Sequence, residues 1–422
     1  MRIGGRLQKR YSYSLPSSIS AQRQERIDLH SGMSCYKLES QLEFTAQSAE
    51  NSKAVAGFFK ELPVDNTADH FFDDYNDIIP ADDEKIKRLA ILDELSAHVE
   101  KTCKKIKEHG LYYNFTNDKN LLFNYQKGIF QLEQQFSTAV EFYSAVNIHN
   151  NVYQNSDLLL DETELLDYTL EELKNKLDII IEQHFKIPDA KVPQTGEYTI
   201  ILNHNAASVF VHESVGHLFE EDNFRQQTIF NEETVINPHI TVTDYAHTAF
   251  GKPCLLPLHI DSEGTETIDV TLIKNGKIQN RMNNRQFAVE GICTGNSRSS
   301  LFSQLSQIRM RNTALEVDKS LLADLSKIDN ALVVEKINAG SSEQNGEVEL
   351  FVEFGHEIKK GEITGCVRNF VIRGHTLDLL NSITACSDDF TWHSGNCGKN
   401  GYGLRLTHGA PSIVLKGTVH GC

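Results

Sequence analysis

The second half of the chain is patterned as short strands joined by tight turns, and this pattern most restricts the fold. Strand-like runs are HITVTDYA (239–246), IDVTLIKNGKIQN (268–280), ALVVEKI (331–337), EVELFVEFGHEIKKGEITGCVRNFVI (347–372) and SIVLKGTV (412–419). The turn signals KNGK and KKGE fall between strands, as antiparallel hairpins require. This half therefore predicts a mostly antiparallel β domain.

The first half combines long amphipathic helices with strand signals. Over Asp83–His109, apolar residues recur every three or four positions. Acidic residues lie near the start and lysines near the end, which predicts a helix that ends before Gly110. A second helix is predicted over about Asp161–Phe185. Between them LYYNFT, LLFNYQ and FQLEQQF are separated by NDKN and KG, which predicts antiparallel hairpins.

A polar segment with two prolines, PDAKVPQTGE (188–197), indicates a domain boundary near residue 190. We therefore expect an α+β protein. An α/β N-terminal domain would cover residues 1–190, with antiparallel strands, long helices and a poorly defined opening segment over 1–80. A mostly antiparallel β domain would cover residues 191–422.

Charge and hydropathy exclude several classes of partner. The formal net charge of −17 at pH 7 argues against nucleic acid or an anionic membrane as a general partner. No apolar stretch approaches the roughly 18 residues of a membrane-spanning helix. The N-terminus lacks the apolar region of a secretory signal, so we expect a cytoplasmic protein. The basic residues 1–24, which contain no acid, suit a solvated terminus better than an organellar transit peptide.

Eight cysteines are scattered along the chain without a C-x-x-C pair. In a long chain without a secretory signal, this distribution predicts reduced thiols. Any one of them could bind a metal only through partners that the fold brings near it.

The stretch FVHESVGHLFEED (210–222) contains a metal-site pattern of unusual spacing. In the H-E-x-x-H motif of zinc hydrolases, the two histidines lie about 40° apart around a helix. Here His212 and His217 are five residues apart, or about 140° on a regular helix. A π-bulge or a distortion at Gly216 would bring both imidazoles to one ion. The alternative is two unrelated histidines on a buried helix.

Several other segments, in order along the chain, carry a family resemblance. They are DSEGT (261–265), LIKNGKI (272–278), TGNSRS (294–299), RMRNT (309–313), NGEVELFVEF (345–354), ITGCVRNFVIRGHTLDLL (363–380) and NCGKNGYGLRLTHGAP (396–411). Together with HESVGHLFEED, they make the chain resemble the TldD/PmbA family of zinc metallopeptidases over most of its length. The resemblance is weakest over residues 1–80, where we expect a truncated or diverged version of the family's opening segment.

The resemblance implies a specific zinc site on the distorted helix of the β domain. Because the chain carries the HExxxH motif, it is similar to the metal-bearing TldD subunit. Its implied Zn²⁺ ligands are His212, His217 and Cys397, which leave a fourth position for water. Glu213, next to the first ligand, is then the expected general base for hydrolysis of a peptide bond. No other cofactor is implied.

The resemblance also implies an assembly and a type of substrate. Family members are dimers, so we expect either a heterodimer with a PmbA/TldE-like sister subunit that lacks the motif, or a homodimer. An enclosed site would favour flexible or unfolded peptides, as in leader-peptide removal or small-protein turnover. One alternative is a non-catalytic zinc-binding assembly subunit, which the intact Glu213 disfavours. Another is a zinc amidase acting on a modified peptide, since it shares the same carbonyl chemistry.

Six further side chains carry both a functional and a structural interpretation. Two acids could orient a ligand histidine or face solvent. Two histidines could contact substrate or lie in ordinary loops, and two arginines could bind a substrate carboxylate or form structural ion pairs. The two acids are Glu220 and Asp222, the two histidines are His393 and His408, and the two arginines are Arg298 and Arg309.

Overall fold

The computed structural model describes residues 3–16, 26–37, 44–48, 80–124, 129–148, 151–231, 233–288, 291–300 and 304–421. The fold is mixed α and β, with strands predominating. It contains two compact units, residues 1–188 with 301–305 and residues 189–300 with 306–422. Among the described residues, no helix is long and apolar enough to cross a membrane. The cytoplasmic location stays a prediction.

The first unit is built on a six-stranded antiparallel sheet with the order β3-β2-β1-β4-β5-β6. Three of these strands lie in the opening segment, where the sequence shows no clear periodic pattern. The strands are β1 (Ile3–Pro16), β2 (Arg26–Lys37), β3 (Phe44–Ser48), β4 (Ile106–Asn124), β5 (Ile129–Ile148) and β6 (Asn151–Asp161).

Two helices, α1 (Asp82–Thr102) and α2 (Leu170–Lys186), share a hydrophobic core with this sheet. A capping box fixes the start of α2. The Thr169 hydroxyl accepts from the Glu172 backbone N–H at 3.3 Å, and the Glu172 carboxylate accepts from the Thr169 N–H at 2.8 Å. The core side chains are Leu92, Leu95 and Val99 of α1, Leu173, Leu177 and Ile181 of α2, and Leu111, Tyr113, Val140 and Phe142 of the sheet.

Both predicted helices are too long at one end. The first ends at Thr102 rather than near residue 109, because the chain enters β4 at Ile106 and pairs there with β5. The second begins at Leu170 rather than near residue 161, because β6 extends to Asp161 and a 3₁₀ turn, Leu165–Asp167, follows it. In both places, burial and strand pairing outweigh local helix propensity.

The predicted turn at NDKN (117–120) is wrong, because β4 runs unbroken through these residues. Each of them pairs with β1 on one side and with β5 on the other. Asn117 is buried, and its side-chain oxygen accepts a hydrogen bond from Gln134 at 3.0 Å. Pairing on both edges therefore overrides the turn preference of the Asn and Asp residues. The predicted KG turn (127–128) lies outside the described residues.

A buried polar triad ties α2 to the sheet of the first unit. The Ser144 hydroxyl lies 2.7 Å from His184 Nδ1, and the Asp157 carboxylate lies 2.8 Å from His184 Nε2. The His184 ring also stacks on Phe142 with 5.6 Å between centroids. Although the residue types match a serine-hydrolase triad, Ser144 is fully buried, so the arrangement is structural rather than nucleophilic.

The second unit contains two six-stranded sheets and two short ribbons. One sheet has the order β12-β11-β8-β15-β21-β20 and the other β18-β17-β16-β7-β22-β19. Nearly all neighbouring strands are antiparallel. The strands are β7 (Gly196–Leu202), β8 (Ile240–Tyr245), β9 (Thr248–Ala249), β10 (Lys252–Pro253), β11 (Val270–Lys274), β12 (Lys277–Ile278), β13 (Ser297–Arg298), β14 (Gln307–Ile308), β15 (Asn312–Val317), β16 (Asn330–Ser342), β17 (Glu347–Lys359), β18 (Glu362–His375), β19 (Ala385–Cys386), β20 (Thr391–Lys399), β21 (Tyr402–Ala410) and β22 (Ile413–Gly421).

Three short helices complete this unit: α3 (His204–Val211), α4 (Glu221–Phe224) and α5 (Thr376–Asn381). The helix α3 is buried in the unit's core, where Ala206, Ala207, Phe210 and Val211 pack with side chains from the sheets. This burial fixes the segment from which the HExxxH motif begins.

The predicted hairpin turns KNGK and KKGE are confirmed. In each, the two central residues have positive φ, 48° and 74° at Asn275 and Gly276 and 55° and 77° at Lys360 and Gly361. Positive φ at both positions is the signature of the type I′ turn, whose twist matches that of the flanking strands. A third turn of the same kind, at Asn400 and Gly401, joins β20 to β21.

We predict that His184→Phe lowers the stability of the first unit. Phenylalanine keeps the stacking on Phe142 but leaves the Ser144 hydroxyl and the Asp157 carboxylate without the imidazole. The free energy of unfolding should fall by about 1–3 kcal/mol, measured by urea denaturation followed by circular dichroism. Lys186→Ala removes an exposed ion pair with Glu182 and should cost less than about 0.5 kcal/mol. Equal stabilities of the two variants would contradict this role for His184.

Candidate metal centre

The HExxxH segment departs from regular helical geometry at the motif. After α3, which the side chain of Asn203 caps, residues His212–Gly216 form a π-helical turn and His217–Phe219 a 3₁₀ turn. The defining contact is an i→i+5 hydrogen bond from the His217 N–H to the His212 carbonyl. As a result, the two imidazole rings lie on the same side, with centroids 4.7 Å apart. A π turn is one of the two distortions that would let both histidines reach one ion.

Gly216 allows the turn to pack closely against Met310, which lies in the segment between β14 and β15. A Cβ at this position would lie 2.0 Å from Sδ and 2.9 Å from Cε of Met310. Because Met310 is fully buried, its side chain has little room to withdraw. Gly216 is therefore required by close packing, besides any backbone freedom it gives the turn.

The strand β20 brings Cys397 to the two histidines. The Cys397 sulfur lies 3.1 Å from His217 Nε2. Candidate ligand atoms of His212, His217 and Cys397 all lie within 4.8 Å of one another. The six cysteines 103, 254, 293, 366, 386 and 397 are free thiols, and among the described residues only Cys397 belongs to such a cluster.

The residues of this cluster fit a zinc ion. Two imidazoles and one thiolate form a donor set typical of catalytic zinc, which uses three protein ligands. His212 is 4% exposed, and its Nδ1 has no hydrogen-bond partner among the described residues. Nothing in the described part of the protein therefore explains why this polar ring is buried, whereas a bound cation would. Burial and the nearby His217 hold the pKa of His212 well below its usual value, so its neutral form, which binds metals, is favoured.

A buried carboxylate, Glu220, connects the two sequence segments of the cluster. One oxygen lies 3.5 Å from His217 Nδ1 and 2.8 Å from Lys399 Nζ. Lys399 follows Cys397 by two residues and also binds Asp222 at 2.7 Å. Burial raises the pKa of Glu220, but His217 and Lys399 outweigh this and lower it overall.

Burial disfavours the charged form of His217, yet the pKa of this side chain is well above its usual value. The Glu220 carboxylate and the hydrogen bond with Cys397 outweigh the effect of burial. The carboxylate–histidine contact resembles the outer partners that orient metal-binding imidazoles. Neither Glu220 nor Asp222 simply faces solvent, because Glu220 contacts His217 and Asp222 binds Lys399.

Glu213 borders a cavity with a volume of about 410 Å³. The three candidate ligands, Gly340 of β16 and His408 of β21 also line it. Burial raises the pKa of the Glu213 carboxyl. Gly340 leaves space for this side chain, since a Cβ there would lie 2.4 Å from Glu213 Cγ.

The remaining candidates fall into two groups. The arginines are structural: Arg298 donates to the backbone carbonyls of Met310 and Arg405, and Arg309 donates to the carbonyl of Cys397. Arg309 is 2% exposed, and this contact helps to fix the ligand strand.

The two histidines differ from each other. His393 Nε2 lies 2.8 Å from His204 Nδ1, and His393 is absent from the cavity wall. His408 lines the cavity, and its ring centroid is 5.5 Å from that of His212. Burial lowers the pKa of His393 to about 4 and that of His408 to about 3, so both are neutral at pH 7.

Sequence reasoning missed two residues of the site. Lys399 lies in the CGK segment, where only Cys397 was singled out, and a lysine two positions along a strand from a ligand shares its side of the sheet. Gly340 has no local signal, because its role depends on a contact with Glu213, 127 residues earlier in the chain.

Comparisons with known proteins identify the family of the chain. Residues 195–421 match the model of the PmbA/TldA metallopeptidase C-terminal domain. Since this match covers more than half of the chain, the protein belongs to the PmbA/TldD family of metallopeptidases.

The chain is 30% identical over 229 residues to a zinc metalloprotease TldD homolog of Saccharolobus solfataricus, covering 53% of this chain and 51% of that protein. It is 30% identical over 234 residues to a metalloprotease TldD homolog of Buchnera aphidicola subsp. Schizaphis graminum, covering 53% and 47%. The matched region thus spans about half the length of these relatives. The crystal structure of TldE from Thermococcus kodakarensis has the same fold, with a TM-score of 0.71 at 15% identity over 100% of this chain and 97% of that one.

We predict that Gly216→Ala destabilises the second unit through overpacking. The new methyl group must displace the buried Met310 side chain, which should lower the free energy of unfolding by about 1–3 kcal/mol. Thermal and urea denaturation would measure the loss. Met310→Ala, which opens a cavity, should cost about 2–5 kcal/mol alone. The double variant should lose less than the sum of the two, because the methyl group then occupies vacated space. Additive losses would contradict direct packing of Gly216 on Met310.

Proposed function

We propose that this chain is a zinc-dependent peptidase of the HExxxH type. The observation that carries this proposal is the convergence of His212, His217 and Cys397 on one cavity that Glu213 also borders. A zinc ion held by these three side chains would polarise the scissile carbonyl and lower the pKa of a bound water. Glu213 takes the proton of the attacking water and passes it to the leaving amine. Burial raises the pKa of the Glu213 carboxyl toward neutral pH. A higher pKa suits a group that first accepts a proton and later donates it.

A free strand edge beside the cavity supports an extended peptide as the substrate. The strand β16 pairs with β17 as far as Ser342, but with β7 only over Leu332–Val334. Over residues 337–342, no described strand pairs with this second edge, and residues 337–340 line the cavity. An extended peptide can add to such an edge through main-chain hydrogen bonds. A flexible or unfolded chain has free main-chain groups for this pairing, whereas a segment already paired in a folded protein does not.

The proposed dimer partner is either the family's sister subunit or a second copy of this chain. The similarity in fold to TldE of Thermococcus kodakarensis supports the first of these. Leader-peptide removal and turnover of small proteins both present flexible chains, so both suit the proposed binding mode.

Two rival functions differ from a peptidase in what they require of the site. A non-catalytic zinc-binding assembly subunit has no use for a carboxylate beside the ligands, yet Gly340 keeps space for Glu213 there. A zinc amidase acting on a modified peptide would use the same hydrolytic residues. The free edge of β16 favours the peptidase, because it offers main-chain partners to residues on both sides of a scissile bond.

We predict that Glu213→Gln retains zinc but loses most turnover. Glutamine keeps the size of the side chain and removes the base, so kcat for the hydrolysis of casein, an unstructured protein, should fall about 10²- to 10⁴-fold. Glu349→Gln serves as a matched control, because Glu349 pairs with Arg373 away from the cavity. Its activity should equal that of the wild type. Wild-type turnover by Glu213→Gln would refute the proposed base, and zinc-loaded wild-type protein that leaves casein intact would favour the assembly subunit.

We also predict a graded loss of zinc affinity in two other variants. Glu220→Gln removes the charged partner of His217 and should weaken zinc binding about 10- to 100-fold. Cys397→Ala removes a ligand and should weaken it further, while Ala at the buried Cys254 should leave it unchanged. Competition with a chromogenic chelator would measure all three dissociation constants. Equal zinc affinities of the Cys397→Ala and Cys254→Ala proteins would overturn the ligand assignment.

A further inference from the structure

His408 is a buried polar side chain with an unpaired ring nitrogen. It is 7% exposed, and its buried Nδ1 has no hydrogen-bond partner among the described residues. Polar groups buried to this extent are normally paired, so an unpaired one calls for an explanation. The ring lines the cavity of the candidate metal centre. Its free hydrogen-bonding capacity is therefore available to whatever occupies this cavity.

The backbone holds His408 rigidly in this position. The strand β21 lies between β20, where His393 is its register partner, and β15, where Thr313 is. On β20, Gly395 keeps the edge of the ring accessible. A Cβ on Gly395 would lie 3.2 Å from His408 Cε1 and 3.6 Å from Nε2, whereas glycine leaves this space to the cavity. His408 thus presents its Cε1–Nε2 edge beside a residue without a side chain.

His408 stands next to the metal cluster without belonging to it. Its ring meets that of His212 edge-on, at 74° and with 5.5 Å between centroids. Among the described residues, the group of converging ligand atoms contains His212, His217 and Cys397 but not His408. Since an imidazole carries at least one N–H in every common protonation state, a donor is always present in the ring.

We propose that His408 donates a hydrogen bond to the carbonyl oxygen of the scissile peptide bond and stabilises the negative charge that develops on it. This role rests on the proposed peptidase function and adds a residue to it. Fixed donors aimed at developing charge are effective because they need no reorganisation during the reaction. The rigid strand, the open edge beside Gly395 and the absence of an internal partner for the ring meet this requirement.

Two substitutions separate the donor from the bulk of the ring. His408→Phe keeps a ring and removes the donor, while His408→Gln restores an N–H at similar reach. In zinc-loaded protein acting on casein, His408→Phe should lower kcat about 10²- to 10³-fold, the range for loss of one such donor. KM and the zinc dissociation constant of His408→Phe should both remain within about twofold of wild type. The kcat of His408→Gln should be at least about tenfold higher than that of His408→Phe. His393→Phe, on the paired position of β20 outside the cavity, should turn over like the wild type.

A binding measurement tests the same contact without turnover. A phosphinic peptide of alanines mimics the charged tetrahedral species, and the amide peptide of the same length mimics the substrate. His408→Phe should weaken the phosphinic peptide about 10²- to 10³-fold and leave the amide peptide unchanged, because the contact strengthens as charge develops.

The possible outcomes distinguish the two proposals. A fall in zinc affinity that matches the fall in kcat would overturn the donor role and make His408 a ligand. Equal losses in His393→Phe and His408→Phe would overturn it as well, in favour of general strand disruption. If wild-type protein fails to hydrolyse casein, the peptidase proposal is wrong, and binding of the phosphinic peptide alone tests the His408 contact. Equal affinities of wild type and His408→Phe for that peptide would then overturn the contact.

Discussion

The candidate centre depends on the hydrogen bond from the His217 N–H to the His212 carbonyl. On a regular helix, residues five apart point about 140° away from each other, so two such histidines could not serve one ion. The π turn brings their ring centroids to 4.7 Å. A turn of this kind is rare in isolation and needs support from its surroundings. Here Gly216 allows the contact with Met310, and the Ser214 hydroxyl donates to the Phe210 carbonyl at 2.6 Å.

The second constraint is electrostatic and joins segments far apart in the chain. Glu220 is fully buried, and a buried carboxylate needs cationic or hydrogen-bonding partners to offset its loss of hydration. Its partners come from both halves of the cluster: His217 from its own segment and Lys399 from β20. Arg309 adds a further charge at 3.9 Å and donates to the Cys397 carbonyl. Folding of the β20–β21 hairpin and assembly of the ligand set are therefore coupled, because each provides partners that the other needs.

Local sequence predicted those parts of the fold that local chemistry determines. The turns KNGK and KKGE require positive φ at two positions, which Asn and Gly accept at low cost and Lys360 adopts at a higher one. The five-residue spacing of the histidines predicted a distorted helix only if both rings bind one ion, and Cys397 could be tied to them only through family resemblance. The failures have a different physical origin. The NDKN turn gave way to strand pairing on both sides, and the first helix stopped at Thr102 because β4 had partners to pair with. Such outcomes depend on residues distant in sequence.

Two of the buried polar atoms that have no hydrogen-bond partner among the described residues belong to rings that line this cavity. Burying an imidazole nitrogen without a partner costs stability, and a fold selected for stability alone would pair it or replace it. Both His212 and His408 have an enclosed Nδ1 without a hydrogen-bond partner among the described residues, and both rings line one cavity. For His212, a bound cation accounts for the burial. For His408, which lies outside the ligand cluster, the substrate is the remaining candidate partner. Part of this cost in stability therefore falls on the two rings that would contact the metal and the substrate, as expected for a site organised before either one binds.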